Sequence, residues 1–399
     1  MRTVYIFNTG CTRLSLDRAR LESYFRFNNC KVIKSPKEAE IILLLTCAFD
    51  LHCEDVSVKA VSSLKKYRGE IIIGGCLPEI NKSRMQKIHS GRFITTKEID
   101  GIDTLFPEFK VSYKNIPDGN TPVFPSILEN FRIFFSFSCY FFKGSLTKVL
   151  NYLQGFKGLK VEDRACLRIS RGCLGNCSFC VINKAIGTLK SKSIREIVSE
   201  LNKLRESGNT HISIISDDTG AYGLDIGENL PNLLNTIISL HNDIFIRLTA
   251  FHPKWLLLYK NEILDLVSKG SISSIRCPIQ SGSERILNLM DRKIDLEELK
   301  SALIELKTSN PNFKLSTAVI AGFPSETEEE FRDTLNFITD VRFDYVMFFY
   351  FASKMGTGAA KIEPKIDYRI IKQRIKFGIR RLRKEKILAR AHNYSPEQR

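Results

Sequence analysis

Short apolar runs alternate with amphipathic stretches over the first hundred residues. The apolar runs at residues 4–7, 40–45 and 70–73 predict strands, and the stretches at residues 14–27 and 56–67 predict helices. Strands that are apolar on both faces and separated by helices are typical of a parallel sheet covered on both sides. The amino-terminal part is therefore predicted to be an open parallel-sheet α/β domain.

A second alternation of the same kind begins at Cys166. Further strands are predicted at residues 211–216, 244–249, 272–278, 314–320 and 345–351, with helices between them. Repeated strand–helix units of this length indicate a partial or complete α/β barrel. The predicted organisation is an α/β domain (1–104), a connector (105–163), a barrel (164–362) and a basic carboxyl-terminal helix (363–399).

Composition narrows the class of protein. Of the 399 residues, 43% are apolar, which is typical of a folded chain. The 11 cysteines are too sparse for a disulfide scaffold, so metal binding or catalysis is the better interpretation. The amino terminus shows no signal-peptide pattern, and the phenylalanine-rich run 131–142 is too short to span a bilayer. We expect a cytoplasmic protein without a membrane partner. The run 131–142 is expected to be buried, and the alternative is a patch that contacts a membrane or a partner.

The formal net charge of +16 is large for this length. Residues 361–399 contain 13 Lys and Arg against 4 Asp and Glu, so this segment contributes +9 of the total. Such a charge indicates either a polyanionic partner, most simply a nucleic acid, or a surface whose charge serves only solubility.

Three cysteines, Cys173, Cys177 and Cys180, lie within eight residues and follow the first predicted barrel strand. A structural zinc site takes four nearby protein ligands, and no fourth is present here. Three thiolates leave one iron of a four-iron cluster open. In radical S-adenosylmethionine (SAM) enzymes that iron binds SAM, whose reductive cleavage supplies a hydrogen-abstracting radical. The alternatives are a zinc ligand set or three incidental cysteines.

A second group of cysteines emerges when residues are placed on the predicted sheet. Cys11, Cys47 and Cys76 each come just after the carboxyl end of a predicted strand. Open α/β sheets bind ligands at this edge, so we expect the three thiols to converge on a second cluster. The alternative is that they are unrelated core residues.

With both groups in place, the sequence resembles the radical SAM methylthiotransferases, which insert sulfur and a methyl group into an unreactive C–H bond. The resemblance covers most of residues 1–100 and 164–362. The run Asp218-Thr-Gly-Ala-Tyr222-Gly is most similar to the archaeal and eukaryotic branch, which modifies threonylcarbamoyl-adenosine in tRNA. The other matching segments are 8–11, 45–48, 74–78, 171–180, 278–283, 322–327 and 354–359.

The resemblance implies two 4Fe-4S clusters and SAM as cofactors. The cluster of Cys173, Cys177 and Cys180 would be catalytic, generating the radical, and that of Cys11, Cys47 and Cys76 would carry or donate the sulfur. An electron donor such as flavodoxin or ferredoxin is implied as well. The resemblance also places four residues in the cofactor and substrate pocket: Gln280, Ser281, Gly322 and Glu326. Gly322 has a second interpretation as a turn residue, and Glu326 as a helix cap.

The chain departs from the family pattern at several points. Leu14 and Ala318 replace a usual Asn and Asp, and residues 183–187 lose positive charge relative to the family. No period-two pattern of the family's RNA-binding barrel module follows Ala360, so we expect that module to be missing. Residues 366–391 are instead predicted to form one basic helix, either packed on the barrel or gripping RNA in place of the module.

The leading hypothesis is therefore a methylthiotransferase acting on an adenosine in tRNA. One alternative keeps the chemistry and makes a protein or peptide side chain the substrate. A second alternative is a non-catalytic iron–sulfur protein for electron transfer or regulation. The remaining cysteines are predicted to be ordinary thiols: Cys30, Cys53, Cys139, Cys166 and Cys277.

Overall fold

A computed structural model describes residues 1–134 and 165–392. The chain divides into two compact units: residues 1–164 together with Lys184–Ile186 form the first, and the second begins at Ala165. Most of the connector's second half and residues 135–142 of the phenylalanine-rich run lie outside the described residues, so their prediction stays untested. No helix in the described part is long and apolar enough to cross a membrane.

The amino-terminal unit is built on a five-stranded parallel sheet in the spatial order β2-β1-β3-β4-β5. The strands are β1 (Thr3–Asn8), β2 (Lys31–Ile33), β3 (Ile41–Thr46), β4 (Glu70–Gly75) and β5 (Phe93–Thr95). The predicted parallel sheet is confirmed. The three-residue edge strands β2 and β5 were not predicted because neither run is long enough to show a period.

Helices cover both faces of this sheet because alternate residues of its strands point to opposite sides. In β1, Val4 and Ile6 belong to one apolar core, and Tyr5 and Phe7 belong to the other. The α-helices of the unit are α1 (Thr12–Phe27), α2 (Leu51–Leu64), α3 (Leu77–Ile80), α4 (Lys82–Ile88) and α5 (Ile127–Phe134).

Helix α2 begins five residues before its predicted start. Asp50 caps it by accepting a hydrogen bond from the backbone N–H of Cys53 at 2.7 Å. A capping side chain satisfies an otherwise unpaired backbone donor in the first turn of a helix. The cap therefore lets the helix include residues 51–55, which lack the apolar periodicity of the rest of α2.

The carboxyl-terminal unit contains a seven-stranded sheet whose strands are parallel and follow one another in chain order. In the described residues its two edge strands do not pair with each other, so the barrel is partial. The predicted α/β class is confirmed. The strands are β6 (Ala165–Arg168), β9 (His211–Ile215), β10 (Phe245–Leu248), β11 (Ile272–Arg276), β12 (Lys314–Ala321), β13 (Tyr345–Tyr350) and β14 (Leu388–Ala391), and a small antiparallel pair adds β7 (Ser170–Arg171) and β8 (Lys190–Ser191).

Helices alternate with these strands, and all of them but the short helix Ile182–Ile186 add buried side chains to the core beside the sheet. Two of them begin with full capping boxes, at Ser193 and at Thr327. The α-helices are α6 (Ile182–Ile186), α7 (Ile194–Glu206), α8 (Leu230–Leu240), α9 (Pro253–Leu258), α10 (Lys260–Ser268), α11 (Glu284–Leu289), α12 (Leu296–Ser309), α13 (Glu328–Val341) and α14 (Tyr368–Lys384).

The single basic helix predicted over residues 366–391 is wrong in its last part. Helix α14 ends at Lys384, and residues 388–391 form strand β14 beside β13. Lys386 has φ +61°, which ends the helical backbone. Beyond it, buried Ile387 and Ala389 alternate with exposed Leu388 and Arg390, which is the period of a strand.

Candidate functional site

The amino-terminal cysteines sit at the carboxyl edge of the five-stranded sheet. Cys11 follows β1, Cys47 follows β3 and Cys76 follows β4, and these three strands are neighbours. The order of strands reverses between β1 and β3, and a crevice at such a switch point is the usual ligand site of an open α/β sheet. Cys11 and Cys47 flank this switch point.

Backbone hydrogen bonds hold the three cysteine loops together. The N–H of Cys76 donates to the carbonyl of Thr46 at 2.9 Å, which joins the loop after β4 to the last residue of β3, next to Cys47. The N–H of Cys47 donates to the Ser57 hydroxyl at 3.0 Å and to the Thr9 hydroxyl at 3.2 Å. The Thr9 contact joins the loop after β3 to the loop after β1, so the positions of all three cysteines are coupled.

The side chains of this group are also neighbours. A Cβ added at Gly10 would lie 2.7 Å from the Cys47 Cβ and 3.2 Å from its Sγ, so glycine is required for the loop before Cys11 to approach Cys47. Burial raises the pKa of Cys76 to about 12, and the thiols of Cys47 and Cys11 add to the increase. Three thiols that influence one another in this way can share one polynuclear cluster.

Arg13 and Cys53 also belong to this site, although neither was predicted. Burial lowers the pKa of Arg13, but Cys11, Cys76 and Cys47 outweigh that effect and leave the pKa raised. The Arg13 guanidinium also donates a hydrogen bond to the Cys11 sulfur. Cys53 hydrogen-bonds Cys47, lowering the pKa of Cys47 and raising its own. Cys53 stays predicted as an ordinary thiol, and its contact with Cys47 depends on helix α2 beginning at Leu51.

The carboxyl-terminal cysteines lie in the loop after β6 and β7. A Cβ added at Gly175 would lie 3.3 Å from the Cys173 Sγ and 3.9 Å from the Cys177 Sγ, so these two thiols face the same glycine. The Gly175 N–H donates to the Cys173 sulfur at 3.1 Å. Cys180 is exposed, and its charge acts on Cys173 together with that of Cys177.

Both cysteine groups fit a three-thiolate cluster. Each has a glycine that leaves room beside the sulfurs, and each has a backbone or arginine N–H directed at a sulfur. Among the described residues no three His, Cys, Asp or Glu side chains are placed to hold a single metal ion. A four-iron cluster is broader than one ion and takes ligands that stand farther apart.

Two ionisable side chains, Arg292 and Asp218, lie next to the carboxyl-terminal cysteines. The Arg292 Nε donates to the Cys177 sulfur at 3.3 Å. The Cys173 thiol points at Asp218 Oδ2, 3.9 Å away, and the same oxygen accepts from Trp255 Nε1 at 2.9 Å. Burial raises the pKa of Asp218 above its usual value, and it raises that of Cys173 to about 11. In the sequence, Asp218 is marked only by its place in the run 218–223 that resembles the archaeal and eukaryotic branch. No local sequence pattern marks Arg292.

The predicted pocket residue Gln280 lies at the carboxyl edge of the barrel sheet after β11. Its backbone is in the left-handed region at φ +70°, and it bridges to Val319 of β12. The side-chain Oε1 is buried and has no hydrogen-bond partner within residues 1–134 and 165–392. Gln280 therefore presents a buried acceptor that no described residue satisfies.

Ser281 is fully buried and already engaged. Its hydroxyl accepts from the Ser283 N–H at 3.2 Å and lies 3.4 Å from the Thr334 hydroxyl. This arrangement braces the turn before helix α11.

Gly322 and Glu326 form a tight turn at the end of β12. Gly322 has φ +78°, and its N–H donates to Glu326 Oε2 at 2.8 Å. The same oxygen accepts from Arg374 Nη1 of helix α14 at 2.9 Å, and a Cβ at Gly322 would overlap Ile371 of that helix. Burial raises the pKa of Glu326 to about 7. The helix cap that follows is Thr327, so the capping interpretation of Glu326 is wrong.

Two family models match the chain, and together they follow its two units. The model described as the radical SAM superfamily matches residues 167–338. The model described as uncharacterized protein family UPF0004 matches residues 3–95.

Curated relatives match nearly the whole chain. A probable threonylcarbamoyladenosine tRNA methylthiotransferase of Methanocaldococcus jannaschii is 28% identical over 93% of this chain and 80% of its own length. A ribosomal protein uS12 methylthiotransferase RimO of Thermotoga sp. is also 28% identical, over 92% of this chain and 80% of its own length.

Solved structures share the fold at low identity. TsrM, a radical SAM methyltransferase from Kitasatospora setae, aligns over 87% of this chain and 74% of its own with a TM-score of 0.60 and 11% identity. The chain therefore contains a radical SAM domain and a UPF0004 domain, and the curated relatives that it resembles along its length are methylthiotransferases.

Proposed function

We propose that the enzyme inserts a methylthio group into threonylcarbamoyl-adenosine in tRNA, using two 4Fe-4S clusters and SAM. Cys173, Cys177 and Cys180 would hold the radical cluster, and Cys11, Cys47 and Cys76 would hold the sulfur-carrying cluster. The observation that carries the RNA substrate is the cationic face of helix α14, because a polyanionic partner is the simplest counterpart of such a face.

The chemistry supplied by the bound groups is hydrogen abstraction by a SAM-derived radical and delivery of sulfur from the second cluster. The protein's own residues shape the surroundings. Gln280 offers a buried acceptor, and burial keeps Trp255 and Asp218 in a fixed hydrogen bond beside Cys173. Glu326 and Arg374 fasten helix α14 to the turn after β12. The proposed electron donor is a flavodoxin or ferredoxin.

The cationic face of α14 is defined by its spacing. The helix contains no Asp or Glu, and five cations recur every three or four residues, at Arg369, Lys372, Lys376, Arg380 and Arg383. At 3.6 residues per turn this spacing places them on one side. The opposite side is buried, through Ile371, Arg374, Ile375, Gly378 and Leu382. We call the five cations, with exposed Lys384, the α14 basic face.

The basic face is available to a partner. Lys376, Arg380 and Arg383 form no ion pair with any described residue. Phe377 is 45% exposed beside them, and aromatic side chains next to cations are typical of surfaces that bind unpaired bases. Arg381 lies off the face, where its guanidinium donates to Asn336 at 2.7 Å.

The second candidate substrate is a protein. It is favoured by the uS12 methylthiotransferases among the relatives, which are as similar to this chain as the tRNA enzymes are.

A side-by-side product assay tests the proposal. Anaerobically reconstituted enzyme, SAM and a reductant are incubated with tRNA containing threonylcarbamoyl-adenosine or with uS12, and digests are analysed by mass spectrometry. We expect a modified adenosine in which a methylthio group replaces one hydrogen, and unmodified uS12. The Cys173→Ala variant is the matched control and should give no product. A methylthiolated uS12 peptide with unmodified tRNA would contradict the RNA substrate.

A further inference from the structure

We infer that Arg292 tunes the reduction potential of the radical cluster by donating a hydrogen bond and placing a positive charge at the Cys177 sulfur. This inference rests on the proposed assignment of Cys173, Cys177 and Cys180 as cluster ligands. It makes Arg292 a positioning residue that acts through a ligand and does not itself touch the substrate.

The geometry fixes the guanidinium beside the sulfur. Its Nε lies 3.3 Å from the Cys177 Sγ, and its Nη1 donates to the Pro278 carbonyl at 2.7 Å. The guanidinium carbon stands 5.9 Å from the centre of the Phe179 ring, between Cys177 and Cys180 in the chain. Arg292 is only 7% exposed, so solvent screens its charge weakly.

The backbone around Arg292 is equally defined. Asp291 has φ +56°, and the Arg292 N–H donates to the Leu287 carbonyl at 2.9 Å, which closes the end of helix α11. The side chain therefore leaves a rigid turn and reaches the cysteine loop, which is itself fastened by the Ser178 N–H donating to the Met290 carbonyl at 3.0 Å. The Arg292–Cys177 contact joins two fixed segments.

The direction of the effect follows from charge. Reduction adds one electron to a cluster that already carries thiolates, and a neighbouring cation with an N–H directed at a sulfur stabilises the reduced state more than the oxidised state. The net charge of the site and the hydrogen bonds to sulfur are among the factors that set cluster potentials. Arg292 should therefore make the cluster easier to reduce.

A purely structural role predicts something different. If Arg292 only braces the turn through Pro278, removing it would lower stability or iron content, while each cluster that remains would keep its potential. The potential of the intact cluster is therefore the readout that separates the two roles.

The test uses the full-length reconstituted holoenzyme in a potentiometric titration followed by electron paramagnetic resonance. The signal of the radical cluster is recognised because it changes when SAM is added. Two variants remove the charge of Arg292: Arg292→Gln and Arg292→Met, of which the Met variant keeps much of the side-chain volume. A third variant, Arg292→Lys, keeps the positive charge. The matched control is Arg205→Gln, which removes a charge that pairs with Asp243 on the protein surface.

At a fixed solution potential we expect the neutral variants to lower the ratio of reduced to oxidised cluster at least tenfold, which is a negative shift of about 59 mV for one electron. Arg292→Lys should recover most of the shift, and Arg205→Gln should show none. An unchanged potential in a neutral variant that binds full iron would overturn the inference. Absence of any SAM-responsive signal in the wild-type enzyme would instead overturn the proposed cluster assignment.

Discussion

The α14 basic face offers the sharpest quantitative test of the RNA partner. A quadruple variant removes four exposed charges that span about 12 Å of helix at 1.5 Å per residue. In this variant Gln replaces Lys376, Arg380, Arg383 and Lys384. The buried side of the helix is untouched, so the fold should be retained.

The expected effect follows from counterion release. Each duplex phosphate contact that is lost reduces the slope of log affinity against log salt by about 0.9, so four contacts reduce it by up to about 3.6. When salt rises from about 50 to about 200 mM, the fold-loss of tRNA affinity should then be about 150 times larger for the wild type than for the variant. Unpaired segments give a smaller change, about 0.7 per contact.

The assay is fluorescence anisotropy of labelled tRNA at several salt concentrations. A control variant replaces four exposed cations elsewhere on the carboxyl-terminal unit, which lowers net charge equally: Arg195, Lys203, Lys269 and Lys314. The loss of affinity in the α14 variant should be similar for different tRNAs, because phosphate contacts carry no sequence information. An unchanged salt slope and unchanged affinity in a folded α14 variant would show that the α14 basic face does not bind tRNA, and would favour a protein substrate.

Two further predictions concern the helix anchor and the division between the clusters. Arg374→Ala should destabilise the carboxyl-terminal unit by about 3–5 kcal/mol at about pH 9, where the buried Glu326 carboxylate loses its cation. The cost should shrink at about pH 5, because burial raises the pKa of Glu326 to about 7, removal of Arg374 raises it further, and the carboxyl is then protonated in the folded protein. Urea unfolding followed by fluorescence of Trp255, the single tryptophan, measures both values, and equal costs would contradict the assignment. Replacing Cys11, Cys47 and Cys76 together by Ala should leave SAM cleavage to 5′-deoxyadenosine intact and abolish the methylthiolated product. Loss of cleavage in a folded variant would place these cysteines in the radical step.

Long apolar runs made the architecture predictable from sequence. Strands such as β3 and β4 are buried on most positions, so their runs stand out and their carboxyl ends locate the cysteines that follow. Shorter elements did not stand out. Strand β14 was taken as helix because the charged run of α14 continues into it, and only the alternation of Ile387 and Ala389 distinguishes it.

Parts of the candidate site depend on contacts between distant residues. Arg292 reaches Cys177 across 115 positions of sequence, and Arg374 reaches Glu326 from a helix 48 positions away. No local pattern encodes such pairs, because they depend on how helices pack on the sheet. The contact between Cys53 and Cys47 has a local cause. The Asp50 cap starts helix α2 earlier than the apolar pattern of the helix indicates.

The proposed function requires two separate cysteine groups to hold two four-iron clusters in one chain. Iron analysis of anaerobically reconstituted protein counts these clusters. We expect about eight irons per chain in the wild type and about four in each triple-alanine variant, one lacking the amino-terminal and one the carboxyl-terminal cysteines. A variant that lacks Cys173, Cys177 and Cys180 yet binds the full complement would contradict the claim.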